Sequence, residues 1–317
     1  MPEVVCLGIM VADIWARPVD EWPQRGRLGV VAETGIGLGG CAANTAVALA
    51  RLGVSAAVQG CVGMDGLGDL VIDAVRRDNV DVSGICRTEA ANTSTTLIII
   101  DSAGERTFIH CFGANGHIDP AKLDLSAIQK AKILHLGGVL LMPGFDGEPQ
   151  AEILAAAQAT GVTTCVDTAW DDRGVWMTAV GPLLPYTDIF LPSLPEAQEL
   201  SGRDRPEEAA QAFLDAGVEI VGLKMGPEGS YVRTPEEELR VPAYPVEVVD
   251  GSGAGDAFVA GFLYGYLQSW DLERTTRFAN ALGGIATPAP GTTAGIKDYA
   301  QIIDLLETAE PGQWRGR

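Results

Sequence analysis

Residues 246–268 read Val-Glu-Val-Val-Asp-Gly-Ser-Gly-Ala-Gly-Asp-Ala-Phe-Val-Ala-Gly-Phe-Leu-Tyr-Gly-Tyr-Leu-Gln. The stretch predicts a β-branched strand at 246–249, a loop in which glycine alternates with small residues, and a helix with almost no polar face. Such a junction aims free backbone N–H groups and the positive end of the helix dipole at one point, which makes it an anion site. Asp256 falls in the first helical turn. A carboxylate beside an anion hole points to phosphoryl transfer to a hydroxyl, with Asp256 as the base. An aspartate that only caps a buried helix accounts for the residue equally well at this point.

The composition sets the frame around that junction. Of 317 residues, 47% are hydrophobic but only 6% aromatic, so the core must be built from Ala, Val, Leu, Ile and Gly, as in parallel α/β sheets. A net charge of −20 argues against nucleic acid or an anionic membrane as partner. No stretch approaches the ~20 apolar residues of a membrane span. Residues 4–11 lack a basic segment before them and are followed by Asp13, unlike a signal peptide. Cys6, Cys41, Cys61, Cys86, Cys111 and Cys165 form no C-x-x-C pair and lie mostly in apolar runs, as buried free thiols do. A reduced, cytoplasmic protein is expected.

From about residue 130 the pattern alternates strands (133–139, 162–167, 188–191, 219–224) with helices (149–160, 195–200, 206–216). Earlier, 4–9 and 56–62 read as strands, and 41–52 as a helix ended by Gly53. The alternation implies βαβ units, hence a doubly wound, mostly parallel sheet flanked by helices. Two segments break it. Residues 15–38 carry Pro18, Pro23 and several glycines with no helical period, and 93–112 read as a hairpin turning at 101–105. These two pieces are expected to pair as a small β-sheet lid across the ligand edge of one domain spanning 1–317.

No glycine loop is followed by Gly-Lys-Ser/Thr, so a lysine-containing P-loop is excluded. Gly35-Ile-Gly-Leu-Gly-Gly40 matches a dinucleotide fingerprint only weakly, lying too far from the first strand to be a βα turn. A second constellation is clearer: Gly39-Gly-Cys-Ala-Ala-Asn44 opens a helix of small residues running to Gly53. Bare backbone plus one amide suits hydrogen bonding to a polyol, although a tightly packed helix whose Asn44 serves local backbone would look alike. Asp13, soon after the first strand, could accept hydrogen bonds from sugar hydroxyls at that strand's C-terminal end.

With these sites in order, the chain resembles a ribokinase-like (PfkB-type) carbohydrate kinase over essentially its whole length. Residues 39–53 resemble that family's N-terminal signature and 250–262 its C-terminal D-T-T-G-A-G-D signature. The resemblance implies a doubly wound α/β fold with a β-lid, and an ATP-dependent sugar kinase. Carried over by position, Asp256 would be the catalytic base, and Gly253, Ala254 and Gly255 the anion hole. Asp13, Gly39, Gly40 and Asn44 would hold the sugar. The run Leu223-Lys-Met-Gly-Pro-Glu-Gly229 resembles the nucleotide-binding strand and turn, placing Lys224, Gly226 and Gly229 at the ATP, with Asn280 beside the adenine. Asp250 and Ser252 match positions that bind a monovalent cation in potassium-activated members.

Three departures qualify the match. Where members carry N-x-x-E, this chain has Ser193-Leu-Pro-Glu196; Glu196 can still orient Mg²⁺-bound water, while Ser193 is a shorter group near the nucleotide. Gly251-Ser252 replaces the double threonine. Asp167-Thr-Ala-Trp170 stands where sugar kinases often read Asp-Pro-Asn, which points away from the common fructose or ribose as acceptor. Arg106, Phe108, His110 and Phe112 alternate along the hairpin and share one face. If that face looks onto the site, Arg106 would hint at a sugar acid, and His110 could also touch the acceptor. A nucleoside kinase of the same family and a non-catalytic sugar- or nucleotide-binding regulator are the alternatives, and a homodimer through the lid is expected from its apolar outer face.

Overall fold

The computed structural model describes residues 1–289 and 291–312. In chain order its elements are β1 (Val4–Gly8), β2 (Val11–Arg17), β3 (Glu33–Gly39), α1 (Cys41–Arg51), β4 (Ala56–Gly63), α2 (Gly66–Arg77), β5 (Asp81–Thr88), β6 (Thr95–Ile100), β7 (Arg106–Cys111) and α3 (Leu125–Ile128). The alternating half follows as β8 (Ile133–Val139), α4 (Glu148–Gln158), β9 (Thr163–Thr168), α5 (Trp176–Val180), β10 (Ile189–Phe190), α6 (Leu194–Ser201), α7 (Pro206–Asp215) and β11 (Ile220–Lys224). β12 (Ser230–Arg233), β13 (Glu238–Val241), α8 (Ala254–Leu267), α9 (Leu272–Ile285) and α10 (Tyr299–Thr308) complete it.

Nine strands form one sheet in the order β13-β12-β11-β10-β9-β8-β1-β4-β5. Pairing is parallel from β5 to β11 and antiparallel only at β11–β12 and β12–β13. Every residue of β1, β4 and β8 is buried, as strands covered on both faces must be. One face packs on α1 and α8, through Ala46, Leu49, Val259 and Phe262; the other packs on α4, α6 and α7, through Leu154, Leu200 and Phe213. The small residues of α8 bring α9 close, for a Cβ on Gly261 would lie 2.8 Å from Ala279 Cα. Among the described residues no helix is long and apolar enough to cross a membrane.

The two segments that break the alternation make a second sheet, in the order β3-β2-β6-β7. β2–β3 and β6–β7 are antiparallel and β2–β6 parallel. The expected lid pieces do pair, but strand structure occupies only Val11–Arg17 and Glu33–Gly39 of the first, and residues 18–32 carry none. The glycine repeat at 35–40 is therefore the end of lid strand β3, not a nucleotide-binding turn.

The strand expected at 246–249 does not form. That segment has no paired neighbour; its backbone is anchored where the Val249 and Asp250 N–H groups both donate to Thr287 O, at 2.9 and 2.8 Å. With β13 the last strand of the sheet, a β-branched run there finds a single acceptor rather than a ladder.

Candidate active site

The lid and the C-terminal ends of the large sheet's strands enclose a cavity of about 400 Å³, within the size range of small-molecule sites. Asp256, Asn44, Asp13, Lys224 and Glu196 all line it, together with Gly40, Arg106, His110, Ser252 and Gly253. Residues more than 200 positions apart are thus brought to one point by the two helix N-termini, α1 and α8, that meet there.

Asp256 lies in the first turn of α8, and its Oδ2 accepts a hydrogen bond from Asn44 Nδ2 at 2.8 Å. Asn44 Oδ1 in turn accepts from the Thr292 hydroxyl at 2.8 Å. Gly253 is the N-cap of α8 and no side chain caps that helix, so the capping explanation of Asp256 fails. Burial raises its carboxyl above the ordinary range, against the opposing pull of Asn44 and Lys224. Gly253 itself is held at φ +76°, and a Cβ there would sit 2.1 Å from Thr292 O. Only glycine fits that conformation and that approach. The Ala254 N–H bends back to Gly251 O at 3.3 Å, which leaves the N–H groups of Gly255 and Asp256 among the orphans of the first turn.

Beneath that turn lies Lys224, at the end of β11. Its Nζ is 2.6 Å from Asp167 Oδ1 at the end of β9, and 3.4 Å from where a Gly255 Cβ would be. Burial alone would favour the neutral amine, but Asp167, then Glu196 and Asp256, hold Lys224 charged. Asp167 is pushed up to about 7 by burial in spite of the lysine. Glu196, in the first turn of α6, accepts from Ser193 N–H at 2.9 Å and from the Thr168 hydroxyl at 3.0 Å. Ser193, expected at the nucleotide, is instead the N-cap of α6; its hydroxyl accepts from Glu196 N–H in a capping box.

Asp13 stands on lid strand β2 rather than at the end of β1. Burial, then Asp256 and Asp250, push it up to about 7, while a hydrogen bond from Thr96 pulls the other way. The Thr96 hydroxyl also bonds His110 Nδ1 at 3.0 Å, and the register Asp13↔Thr96↔His110 makes these three one row across the lid. The glycines of β3 make room beside it: a Cβ on Gly39 would lie 2.2 Å from the Asp13 carboxylate, and one on Gly35 2.1 Å from the Trp15 ring.

Arg106 leaves that face. Its guanidinium donates to Asp250 Oδ1 and to the Ser252 hydroxyl, both at 2.8 Å. Burial would raise the Asp250 carboxyl, but the N–H groups of Gly291 and Ser252, the Ser252 hydroxyl and Arg106 hold it below the ordinary range. Asp250 and Ser252, the two groups expected to bind a monovalent cation, both contact the Arg106 guanidinium in this structure.

Gly229 and Asn280 converge on a neighbouring spot outside this cavity, and Gly226 O accepts from the Gly229 N–H at 3.0 Å in the same turn. Asn280 Nδ2 donates to Val241 O at 2.9 Å and Pro242 O at 3.3 Å, and a Cβ on Gly229 would strike Val241 O. Residues the sequence did not single out as site groups include Thr96, Cys41 and Thr292, which line the cavity, and Asp167, noticed only as a departure. Lys224 and Asp167 each end a parallel strand beside the other's neighbour, a signal readable only once strand order is known.

Residues 1–298 match the model of the pfkB family of carbohydrate kinases. The chain is 32% identical to an ATP-dependent ribose-1-phosphate kinase of Halopiger xanaduensis, over 97% of this chain and 99% of that protein. It is 27% identical to a 2-dehydro-3-deoxygluconokinase of Bacillus subtilis, over 85% of this chain and 86% of the relative. A putative ribokinase II of E. coli, solved in complex with ATP and Mg²⁺, superposes with a TM-score of 0.85 at 26% identity, covering 97% of this chain and 99% of the other. Fold, signatures and matched length agree, and the chain belongs to the pfkB family of carbohydrate kinases.

Proposed function

We propose that the protein transfers the γ-phosphoryl group of ATP to a hydroxyl of a small carbohydrate bound beneath the lid. The observation that carries this reading is Asp256: a buried, basic carboxylate fixed by Asn44 at 2.8 Å, in the first turn of a helix whose N-terminus opens on the cavity. In this reading Asp256 takes the proton of the attacking hydroxyl as the new O–P bond forms and the bond from Pγ to the β,γ-bridging oxygen breaks, releasing ADP. The Gly253-Ala254-Gly255 loop, chiefly through the Gly255 N–H and its neighbour, receives the charge of the transferring group. Lys224, held charged under the same turn, adds a fixed cation. Little covalent chemistry is then asked of the protein, because positioning and charge stabilisation supply most of the rate. Gly229 and Asn280 would shape the nucleotide's far end by fixing the 241–243 segment, with Gly226 in the turn that leads into it.

Magnesium fits the donors present. Glu196 raises the proton affinity of both Asp167 and Asp256 by crowding like charge, and a hard carboxylate oxygen suits a hard divalent cation. Glu196 would hold Mg²⁺ through water, and the ion would neutralise charge on the ATP phosphates. The six thiols are all free, which suits a reducing compartment, and we place the enzyme in the cytoplasm. The test is ADP release from Mg·ATP over a panel of sugars, sugar acids, sugar phosphates and nucleosides. Absence of turnover with every acceptor, despite measurable ATP binding, would favour a non-catalytic regulator.

The outer face of the lid supports a dimer. Ile36, Leu97 and Ile109 sit there 40–48% exposed, on three strands of one sheet, on the side away from Asp13, Thr96 and His110. A second copy is the natural cover for that face. Light scattering should report a dimer, and Leu97→Lys with Ile109→Lys should give a monomer; a wild-type monomer at micromolar concentration would dismiss the interface.

A further inference from the structure

One ion pair ties the lid to the loop in front of α8. Nη1 of Arg106, on lid strand β7, gives its two hydrogens to Asp250 Oδ1 and to the Ser252 hydroxyl, both at 2.8 Å. Both oxygens of Asp250 are engaged. Oδ1 also accepts from the Ser252 N–H at 2.9 Å, and Oδ2 accepts from the Gly291 N–H at 2.8 Å.

Asp250 opens the segment that runs through Gly253 into the first turn of α8, and its side chain is only 12% exposed. A bare carboxylate there would oppose the anion that the helix N-terminus attracts, and water would screen it poorly. The Arg106 guanidinium cancels that charge in place and, through Ser252, fixes the loop ahead of Gly253. The residue between them makes the seat. Gly251 lies outside the left-handed region, so its backbone would accept other residues; a Cβ there would instead stand 2.8 Å from Arg106 Nη2. A threonine at 251, as in the signature that residues 250–262 resemble, would push the guanidinium off the carboxylate. The glycine at 251 and the arginine on the lid thus fit one another.

We propose that Arg106 is a positioning residue for the phosphate loop: a cation built into the lid and seated over Gly251, which neutralises Asp250 and holds Ser252. Its effect on rate rests on the kinase reading above. The consequence is that the loop draws on no monovalent cation from solution, because the oxygens such an ion would need already accept hydrogen bonds.

The experiment measures Tm, and kcat/KM for the best acceptor, in the wild type, Arg106→Ala, Gly251→Thr and the double variant. Each is compared in the chlorides of tetramethylammonium, potassium and methylguanidinium at one ionic strength. The wild type should not distinguish the three salts. In tetramethylammonium, Arg106→Ala should lose about ten-fold in kcat/KM, as loss of hydrogen bonds to a charged group does, and methylguanidinium should return most of it. Gly251→Thr should show the same loss, and the double variant no more than either, as members of one interaction do. With no acceptor present, methylguanidinium should raise the Tm of Arg106→Ala above its value in tetramethylammonium and leave that of the wild type unmoved. A wild type that loses about ten-fold when potassium is withdrawn overturns the proposal, for the loop then depends on an ion from solution. So does a kcat loss of about 10³-fold in Arg106→Ala that Gly251→Thr does not share, which would put the guanidinium on the transferring phosphate itself. Additive losses in the double variant, or no response of the Arg106→Ala Tm, overturn the seat over Gly251. The Tm pattern holding without turnover of any acceptor would defeat the kinase reading and leave the seat standing.

Discussion

The two walls of the cavity hold charge in different ways. The wall carried by the large sheet concentrates ionised groups: Asp167, Glu196, Asp256 and Lys224 are buried or nearly so, and each is hydrogen-bonded to a named neighbour. The lid wall brings one carboxylate, Asp13, and one arginine, Arg106, the latter paired with Asp250, beside the neutral Thr96 and His110. A buried charge needs a partner fixed to within a few tenths of an ångström, which parallel strands packed on both faces provide. An edge sheet of four strands provides less. Under the proposed function, the division puts the chemistry on the large sheet and contacts to the acceptor on the lid.

Substitutions on either wall should break this contrast in descending order. Asp256→Asn keeps the shape and the bond to Asn44 but removes the base, and should lower kcat by about 10²–10⁴-fold with ATP affinity within a few-fold. Retention of near-wild-type kcat in an ADP-release assay would remove Asp256 from the chemistry. Lys224→Met should cost about 10²–10³-fold in kcat through lost charge stabilisation, and should also leave Asp167 buried without its cation. Adding Asp167→Asn to that variant should restore thermal stability but not rate, so recovery of both would assign the lysine to structure alone. On the lid side, Arg106→Ala unties Asp250 and Ser252 from β7. It should raise KM for the acceptor about ten-fold with a smaller change in kcat, steady-state kinetics being the measurement.

The smallest expected effect depends on pH. Asp13 has a folded-state value of about 7, above the unfolded carboxylate range, so the folded protein binds this proton more tightly than the unfolded chain does. The stability it contributes is present at low pH and lost as pH rises from the ordinary carboxylate range through about 7. Between pH 5 and pH 8 the ligand-free wild type should lose more Tm than Asp13→Asn, which has no proton to lose. Parallel pH profiles for the two would put the titrating group elsewhere.

The alternating half was legible because its periods are local: helices read at 149–160 and 206–216 form at Glu148–Gln158 and Pro206–Asp215. The hairpin was legible for the same reason, with its turn at 101–105 between β6 and β7. What could not be read was anything set by a neighbour distant in sequence. Val246 to Val249 look like a strand until the sheet is seen to end at β13. Ser193 reads in sequence as a group near the nucleotide, and in the fold its hydroxyl also caps α6. Arg106 alternates onto the cavity face, and its ion pair with Asp250, 144 residues away, is a contact no local pattern can show. Asp256 and Asn44 were both named from local glycine patterns; their contact, 212 residues apart in sequence, was not deducible.

One strand of the lid has a role that is easily passed over. β3 reads Glu-Thr-Gly-Ile-Gly-Leu-Gly, and the bare positions Gly35 and Gly39 are filled by the Trp15 ring and the Asp13 carboxylate lying across it. The strand acts as a spacer of minimum thickness. Any side chain at either position must push its neighbour off the strand, and the height of the chamber above the sheet changes with it. Reshaping the chamber can thus begin on this strand: a side chain at Gly39 would displace the Asp13 carboxylate, and one at Gly35 the Trp15 ring behind it.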